Sequence, residues 1–302
     1  MMSAEAVPLH LAIPKGRMYQ GVVDLLAEAG VRLHHGSRGY RPKINLPAVE
    51  AKLLKPQNIV EMLAVGTRDV GFAGADWVAE KSLELHEVMN LGLDPVRIVA
   101  AAPRELLVDG RLPSESPIGG PLRIASELER LTRSWMSEAC PGGRFVRTYG
   151  ATEVFPPEDA DVIVDVTQTG ATLEANGLVI VDELMRSATR LYASRQAMAA
   201  PAKRARIEDL ATLLQSVIAG RERVMVEVNV GVDALDQVVA SLPAMRQPTI
   251  SKLYAHGKAR GEAVGYAVKA AVLRSVLPGL IPQLKACGGT DIVVSPVSQV
   301  VP

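Results

Sequence analysis

The residues from Asp161 to Gly177, DVIVDVTQTGATLEANG, carry the most chemistry per position in this chain. The run Val162–Val166 reads as a buried strand, and Asp165 stands near its carboxyl end, where open α/β sheets place their ligands. Thr167, Gln168, Thr169, Gly170, Ala171, Thr172 and Leu173 follow, offering hydroxyls and closely spaced backbone N–H groups with little bulk. Gly170 lets the backbone turn tightly, and successive N–H groups in such a turn make a concave anion site. An acid at the edge of that site repels phosphate but accepts hydrogen bonds from sugar hydroxyls, so the pair suits a sugar phosphate. Taken alone, the loop is equally an ordinary β-turn with a threonine-rich surface. It is neither a P-loop nor a GxGxxG fingerprint.

An element pattern must hold that loop in place. Short β-rich apolar runs alternate with helical periodicity, the α/β signature. Strands are expected at 9–13, 69–74, 96–103, 122–126, 144–149 and 161–166, and helices at 18–30, 58–66, 128–139 and 202–220. Residues 105–122 read as a Gly/Pro/Ser-rich linker or exposed loop, and 177–194 as a short strand-helix-strand passage. After Arg223 the order becomes βαββαβ, the split ferredoxin-like module.

Composition narrows the class. The 302 residues are 48% hydrophobic with 33 basic and 33 acidic side chains, so no basic excess points to a nucleic-acid partner. Cys140 and Cys287, the only cysteines, lie in no metal-binding pattern and read as reduced thiols. The N-terminus lacks signal-peptide character, and no apolar run is long enough for a membrane helix. A cytoplasmic protein is expected.

Read together, several segments resemble the ATP phosphoribosyltransferases. LAIPKGR (11–17), EAKLLKPQNI (50–59, resembling the family's basic loop), DVGFAGADWVAE (69–80), YGATEVFP (149–156) and the 161–177 segment match in order, and the C-terminal region resembles the long form's regulatory domain. The resemblance implies a two-lobed core like that of periplasmic binding proteins: lobe I at 1–103 with 187–220, and lobe II at 104–186. An ACT-like regulatory domain at 221–302 would follow. It implies that N1 of ATP displaces pyrophosphate from phosphoribosyl pyrophosphate, with Mg2+ present and no covalent intermediate. Phosphoribosyl pyrophosphate would be held by Asp165 and Thr167–Leu173, and ATP by Lys15, Arg17, Lys52, Lys55, Asp76 and Glu153. Arg17, Asp165 and Glu153 would be catalytic. Asp76 is also expected to cap the helix that follows it.

Departures from the family pattern cluster in two places. Lys55 and Asn58 stand where arginine and aspartate are usual, and in the flank Phe155–Gln168 the stretch FPPEDAD (155–161) replaces a leucine-rich approach while Thr167 and Gln168 replace valine and serine or glutamate; lysine lacks arginine's bidentate fork. The resemblance further implies inhibition by histidine at Asn229, Thr249, Ala271 and Asp291, with a long loop at 254–265 holding His256. Homo-oligomers, dimers or hexamers, are expected. The alternative is a non-catalytic two-lobed metabolite sensor of the same descent; a transferase accepting another base is a third reading.

Overall fold

The computed structural model describes residues 7–34, 39–254 and 263–301. The chain forms two compact units, one built from the chain up to residue 27 together with 31–211, the other from 28–30 and 212–302.

In the first unit, a half-sheet comes from β1 (Leu9–Pro14), β4 (Val49–Leu54) and β5 (Val70–Gly74), with a small hairpin of β2 (Leu33–His34) and β3 (Lys43–Ile44) between. Helices α1 (Tyr19–Glu28), α2 (Pro56–Ala64) and α3 (Ala75–Glu80) follow β1, β4 and β5. A long strand, β6 (His86–Pro103), leads to β7 (Arg123–Ser126), α4 (Glu129–Ala139), β8 (Arg144–Arg147), β9 (Val162–Thr167) and the short helix α5 (Ala171–Ala175). The return strand β10 (Leu178–Ala193) precedes α6 (Arg195–Ala199) and α7 (Pro201–Arg221).

All the strands except the hairpin join one sheet in the order β4-β1-β5-β10-β6-β9-β7-β8. Each end of it is a parallel triplet in which the strand first in sequence lies at the centre: β4-β1-β5 and β8-β7-β9. The antiparallel ribbon of β6 and β10 runs between them. One stretch of it, Thr189–Ala193, pairs with β5, while Arg97–Ala101 pairs with β9. Where the ribbon passes from one triplet to the other its ladder is broken: Val96 pairs with Ser187 and Leu93 with Thr189, leaving Asp94, Pro95 and Ala188 unpaired. Bulges bend a ribbon and re-aim its side chains.

Three sequence expectations need correction. The passage 177–194 contains no helix: it is the single strand β10. Its middle, Asp182–Arg186, is only partly covered, so polar and apolar residues mix there without a clean period of two. Residues 50–59 form β4 and the start of α2; β4 is an edge strand, and its lysines tolerate water on one side. The strand expected at 96–103 begins ten residues earlier, its first part masked by Gly92, Asp94 and Pro95.

Apolar packing explains the layers. Ile98, Ala100, Ala102, Ile124, Val162 and Val164 form a core under α4, whereas Val99, Ala101, Ala125 and Ile163 face α5. Alternation along β6 and β9 thus covers both faces of the sheet. Ile207, Leu210, Leu214 and Val217 make the buried stripe of α7. Buried Asp69 accepts hydrogen bonds from the His10 N–H at 2.8 Å and Lys203 Nζ at 2.7 Å, fixing α7 beside β1 and β5.

The second unit contains β11 (Arg223–Val230), α8 (Leu235–Ser241), β12 (Thr249–Leu253), β13 (Gly265–Leu273), α9 (Leu277–Ala286) and β14 (Thr290–Pro296). Its antiparallel sheet, β12-β13-β11-β14, is the ferredoxin-like order expected from the sequence. Val224, Val226, Val228 and Val230 point to one face, against Val238, Leu280 and Leu284 of the helices. Cys140 and Cys287 are free thiols. Among the described residues no helix is long and apolar enough to cross a membrane.

Candidate active site

Four of the expected site features in the first unit follow the carboxyl end of a parallel strand. Arg17 comes after β1, Asp76 after β5, Glu153 after β8, and the loop Gln168–Gly170 after β9. Arg17, Glu153, Asp165, Thr167, Gln168, Thr169, Ala171, Thr172 and Leu173 line one cleft of about 310 Å³. Gly170, at φ +90°, turns the backbone from β9 into α5, a conformation that favours glycine. The loop holds itself in shape: the Gly170 N–H donates to Thr167 Oγ1 at 2.9 Å, and the Ala171 N–H to Thr169 Oγ1 at 3.3 Å.

Asp165 is the electrostatic centre of this cleft. Burial pushes its carboxyl up to about 6; the 2.6 Å hydrogen bond from the Val166 N–H opposes that, and the nearby Glu153 and Glu127 add to it. An acid raised by desolvation in a cleft beside a glycine-turned loop marks a site built for a ligand rather than for stability.

The remaining expected contacts do not gather here. Lys15 lies 3.3 Å above the ring of Tyr40, a cation–π contact. Lys52 is on β4, paired with Ala12. Lys55 lines a second cleft, of about 330 Å³, with Gln57, Trp77, Glu80, Lys81, Glu127, Arg147, Thr148 and Tyr149. Gln57 Oε1 is buried there with no hydrogen-bond partner among the described residues. Asp76 is not the cap of α3; Gly74 holds that position, and a Cβ on Gly74 would fall 2.0 Å from Asp76 Oδ1. Instead Ser187 Oγ donates to Asp76 Oδ1, and the Asp76 N–H donates to Ser187 Oγ, both at 3.1 Å. Burial raises the Asp76 carboxyl, against the Ser187 and Trp77 hydrogen bonds and the charge of Arg17.

The second cleft takes Lys55, Gln57 and Trp77 from one half of the sheet and Glu127, Arg147 and Tyr149 from the other. Glu80 joins these walls. Its two carboxylate oxygens accept the N–H groups of Arg130 and Leu131 at 3.1 and 3.0 Å, while Arg130 Nη1 donates to the Ala79 carbonyl at 2.8 Å. The end of α3 thereby caps the start of α4. Glu80→Ala leaves two first-turn N–H groups without that acceptor and is expected to cost about 1–2 kcal/mol in urea unfolding. A loss below a few tenths would show that solvent replaces it fully. Sequence reading passed over Glu80 because its partner lies fifty residues away.

In the second unit the four expected histidine contacts fall in two places. Asn229 Nδ2 donates to Asp291 Oδ2 at 3.1 Å. Thr249 pairs with Lys269, two residues before Ala271 on β13, whereas Asn229 pairs with Ala267. One copy's sheet thus separates Asn229 and Asp291 from Thr249 and Ala271. His256 lies outside the described residues.

Comparison with known proteins decides the family. The family model described as ATP phosphoribosyltransferase matches residues 55–216, and that described as HisG, C-terminal domain matches 220–299. The chain belongs to the ATP phosphoribosyltransferase family. It is 36% identical to the ATP phosphoribosyltransferase of Pelotomaculum thermopropionicum over 97% of this chain and 99% of that protein. Identity is 37% to the enzyme of Prosthecochloris aestuarii, over 83% and 86% of the two chains. Among solved structures, the ATP phosphoribosyl transferase (HisG:HisZ) complex from Thermotoga maritima superposes with a TM-score of 0.61 at 27% identity, covering 70% of this chain and 98% of that one. As a member of this family the protein is an enzyme, a transferase, with an α/β core and the family's C-terminal domain.

Proposed function

We propose that this transferase joins N1 of ATP to C1 of phosphoribosyl pyrophosphate, releasing pyrophosphate in the first step of L-histidine biosynthesis. The carrying observation is the cleft itself, in which Asp165 stands beside the Thr167–Leu173 loop and faces Arg17 and Glu153. Asp165 accepts the ribose hydroxyls, and Thr169–Thr172 hold the 5′-phosphate. Arg17 takes charge from the departing pyrophosphate. Glu153 orients the adenine-bearing substrate across from the ribose, and Asp76 serves the same substrate. Lys55 reaches ATP phosphates from the second cleft; Lys15 and Lys52 serve the same polyanion from further out. Displacement needs no enzyme nucleophile, so catalysis is positioning and charge stabilisation.

Mg2+ would be held between the substrate's phosphates and the carboxylates of the cleft. Among the described residues there is no group of three or more His, Cys, Asp and Glu side chains suited to hold a metal. Mg2+ characteristically keeps its waters and takes one or two carboxylates plus substrate phosphates, which Glu153, Asp165 and the pyrophosphate can supply. The ion's chemistry is to neutralise the leaving pyrophosphate.

The C-terminal unit is proposed as a regulatory domain sensing histidine, in a cytoplasmic homo-oligomer. Purified protein mixed with ATP, phosphoribosyl pyrophosphate and Mg2+ should form phosphoribosyl-ATP and pyrophosphate, followed by absorbance and a pyrophosphate assay. Binding of both ligands in calorimetry without product would identify a sensor; product with another base would identify a different transferase. Added histidine is expected to slow turnover and release heat on binding, and absence of both would remove the regulatory role.

A further inference from the structure

The bulge where the ribbon crosses between half-sheets sits next to the cleft, and its first residue is unusual. Asp94 adopts φ +48°, the left-handed region that non-glycine residues rarely occupy. Such strain persists only where the surroundings over-determine it, and it concentrates at functional sites. Three contacts over-determine it here. The Asp94 carbonyl accepts Arg17 Nη1 at 3.2 Å. Asp94 Oδ2 accepts the hydroxyl of buried Thr189 at 3.3 Å, on the facing strand. Gly21 of α1 lies so close that a Cβ there would be 3.3 Å from the same oxygen.

We propose that Asp94 is a positioning residue for Arg17: the left-handed bulge aims its carbonyl at the guanidinium and holds that charge in the cleft. The inference rests on the reading of Arg17 as the cation that meets the pyrophosphate. Arg17 is on an exposed turn after β1, and Asp94 Oδ2 is its carbonyl's tether to β10. With the bulge regularised, the carbonyl would swing away and Arg17 would lose the acceptor that fixes one of its amino groups. The carboxylate anchors the bulge, whereas the carbonyl does the positioning. Glycine, which enters the left-handed region freely, should therefore serve in place of aspartate, and valine should not.

The test compares the full-length chain with Asp94→Val, Asp94→Gly, Arg17→Ala and the Asp94→Val/Arg17→Ala pair, each checked for a native melt. Asp94→Val is expected to lower kcat about 10- to 100-fold, the scale of a misplaced catalytic group, with a smaller change in KM for ATP. Asp94→Gly should restore most of that loss, and Asp94→Val should add nothing to Arg17→Ala, because both act through one group. Should Asp94→Val melt early, Thr189→Val, which frees only the anchor, is expected to lower kcat several-fold in the native background and not in the Arg17→Ala background. Multiplying effects in the double variant, or a glycine variant as slow as valine, would overturn the proposal. So would an Arg17→Ala enzyme with unchanged turnover, whereas no turnover by the unaltered chain would be a failure of the proposed reaction itself.

Discussion

Asp165→Asn is expected to reduce kcat/KM about a hundredfold or more while making the folded protein more stable at neutral pH. The loss of activity follows from charge: an ionised carboxylate beside the ribose stabilises positive character developing at C1, and an amide of the same shape does not. The gain in stability follows from burial. In the folded chain this carboxyl titrates near 6, whereas an unfolded aspartate titrates near about 3.9. Below pH about 4 both states are protonated and the group is neutral to stability. As pH rises toward 6 the unfolded state releases its proton first, so the native state loses ground, by up to about 3 kcal/mol above that range. Asparagine never pays this penalty. Thermal melts of the two proteins should coincide near pH 4 and separate above pH 6, with the variant higher. A variant that melts lower at pH 7.5 would disprove the desolvation account. The same titration predicts that kcat/KM of the unaltered enzyme falls as pH drops through about 6.

The second large effect is expected at Asp161, just before β9. This side chain is 4% exposed and accepts from Ser116 Oγ at 2.9 Å, the Arg123 N–H at 2.7 Å, and Arg123 Nε and Nη2 at 3.2 and 3.0 Å. Arg123 also donates to the carbonyls of Pro157 and Glu158. One ion pair therefore pins the Phe155–Asp161 flank to β7. Burial alone would raise the Asp161 carboxyl, but the hydrogen bonds from Arg123 and Ser116 prevail and hold it below the usual range. Asp161→Ala leaves a partly buried guanidinium without its counter-charge and is expected to cost about 3–5 kcal/mol in denaturant unfolding. A depressed carboxyl stabilises above its unfolded pKa of about 3.9, and that stabilisation is lost as pH falls through the folded value. The acid limb of the stability curve should accordingly be shallower in the variant. A cost under about 1 kcal/mol would mean that the flank is held by other contacts.

The sequence made some of this architecture legible and hid the rest for identifiable reasons. The Val162–Val166 run and the glycine after it reveal strand and loop because burial on both faces demands an unbroken apolar run. The C-terminal module is equally plain, since its central strand β11 alternates cleanly between a helix-covered and an open face. The ribbon is not legible. Its central residues are partly exposed, its register slips at several bulges, and Asp94-Pro95 resembles a strand terminator although the strand continues past it. Site residues show the same division. Asp165 and its loop are contiguous, so local composition identifies them. Arg17 and Glu153 join them only through strand order, and Lys15, engaged with Tyr40, shows that a basic residue after a strand need not face the cleft. Glu80 meets backbone groups, and Asp94 a side chain, far away in the chain, which no local pattern records.

The crossing ribbon also governs how the chain is made. Strand β5 is buried along its whole length, yet its second neighbour, Thr189–Ala193, begins 115 residues after β5 ends. At translation rates of about 5–20 residues per second, the hydrophobic edge of β5 waits about 6–23 s on the ribosome for its partner. Throughout that interval the nascent chain offers an open template to other strands. The bent ribbon that brings two half-sheets to one cleft thus makes the newborn N-terminal half dependent on the last strand of its sheet to be synthesised.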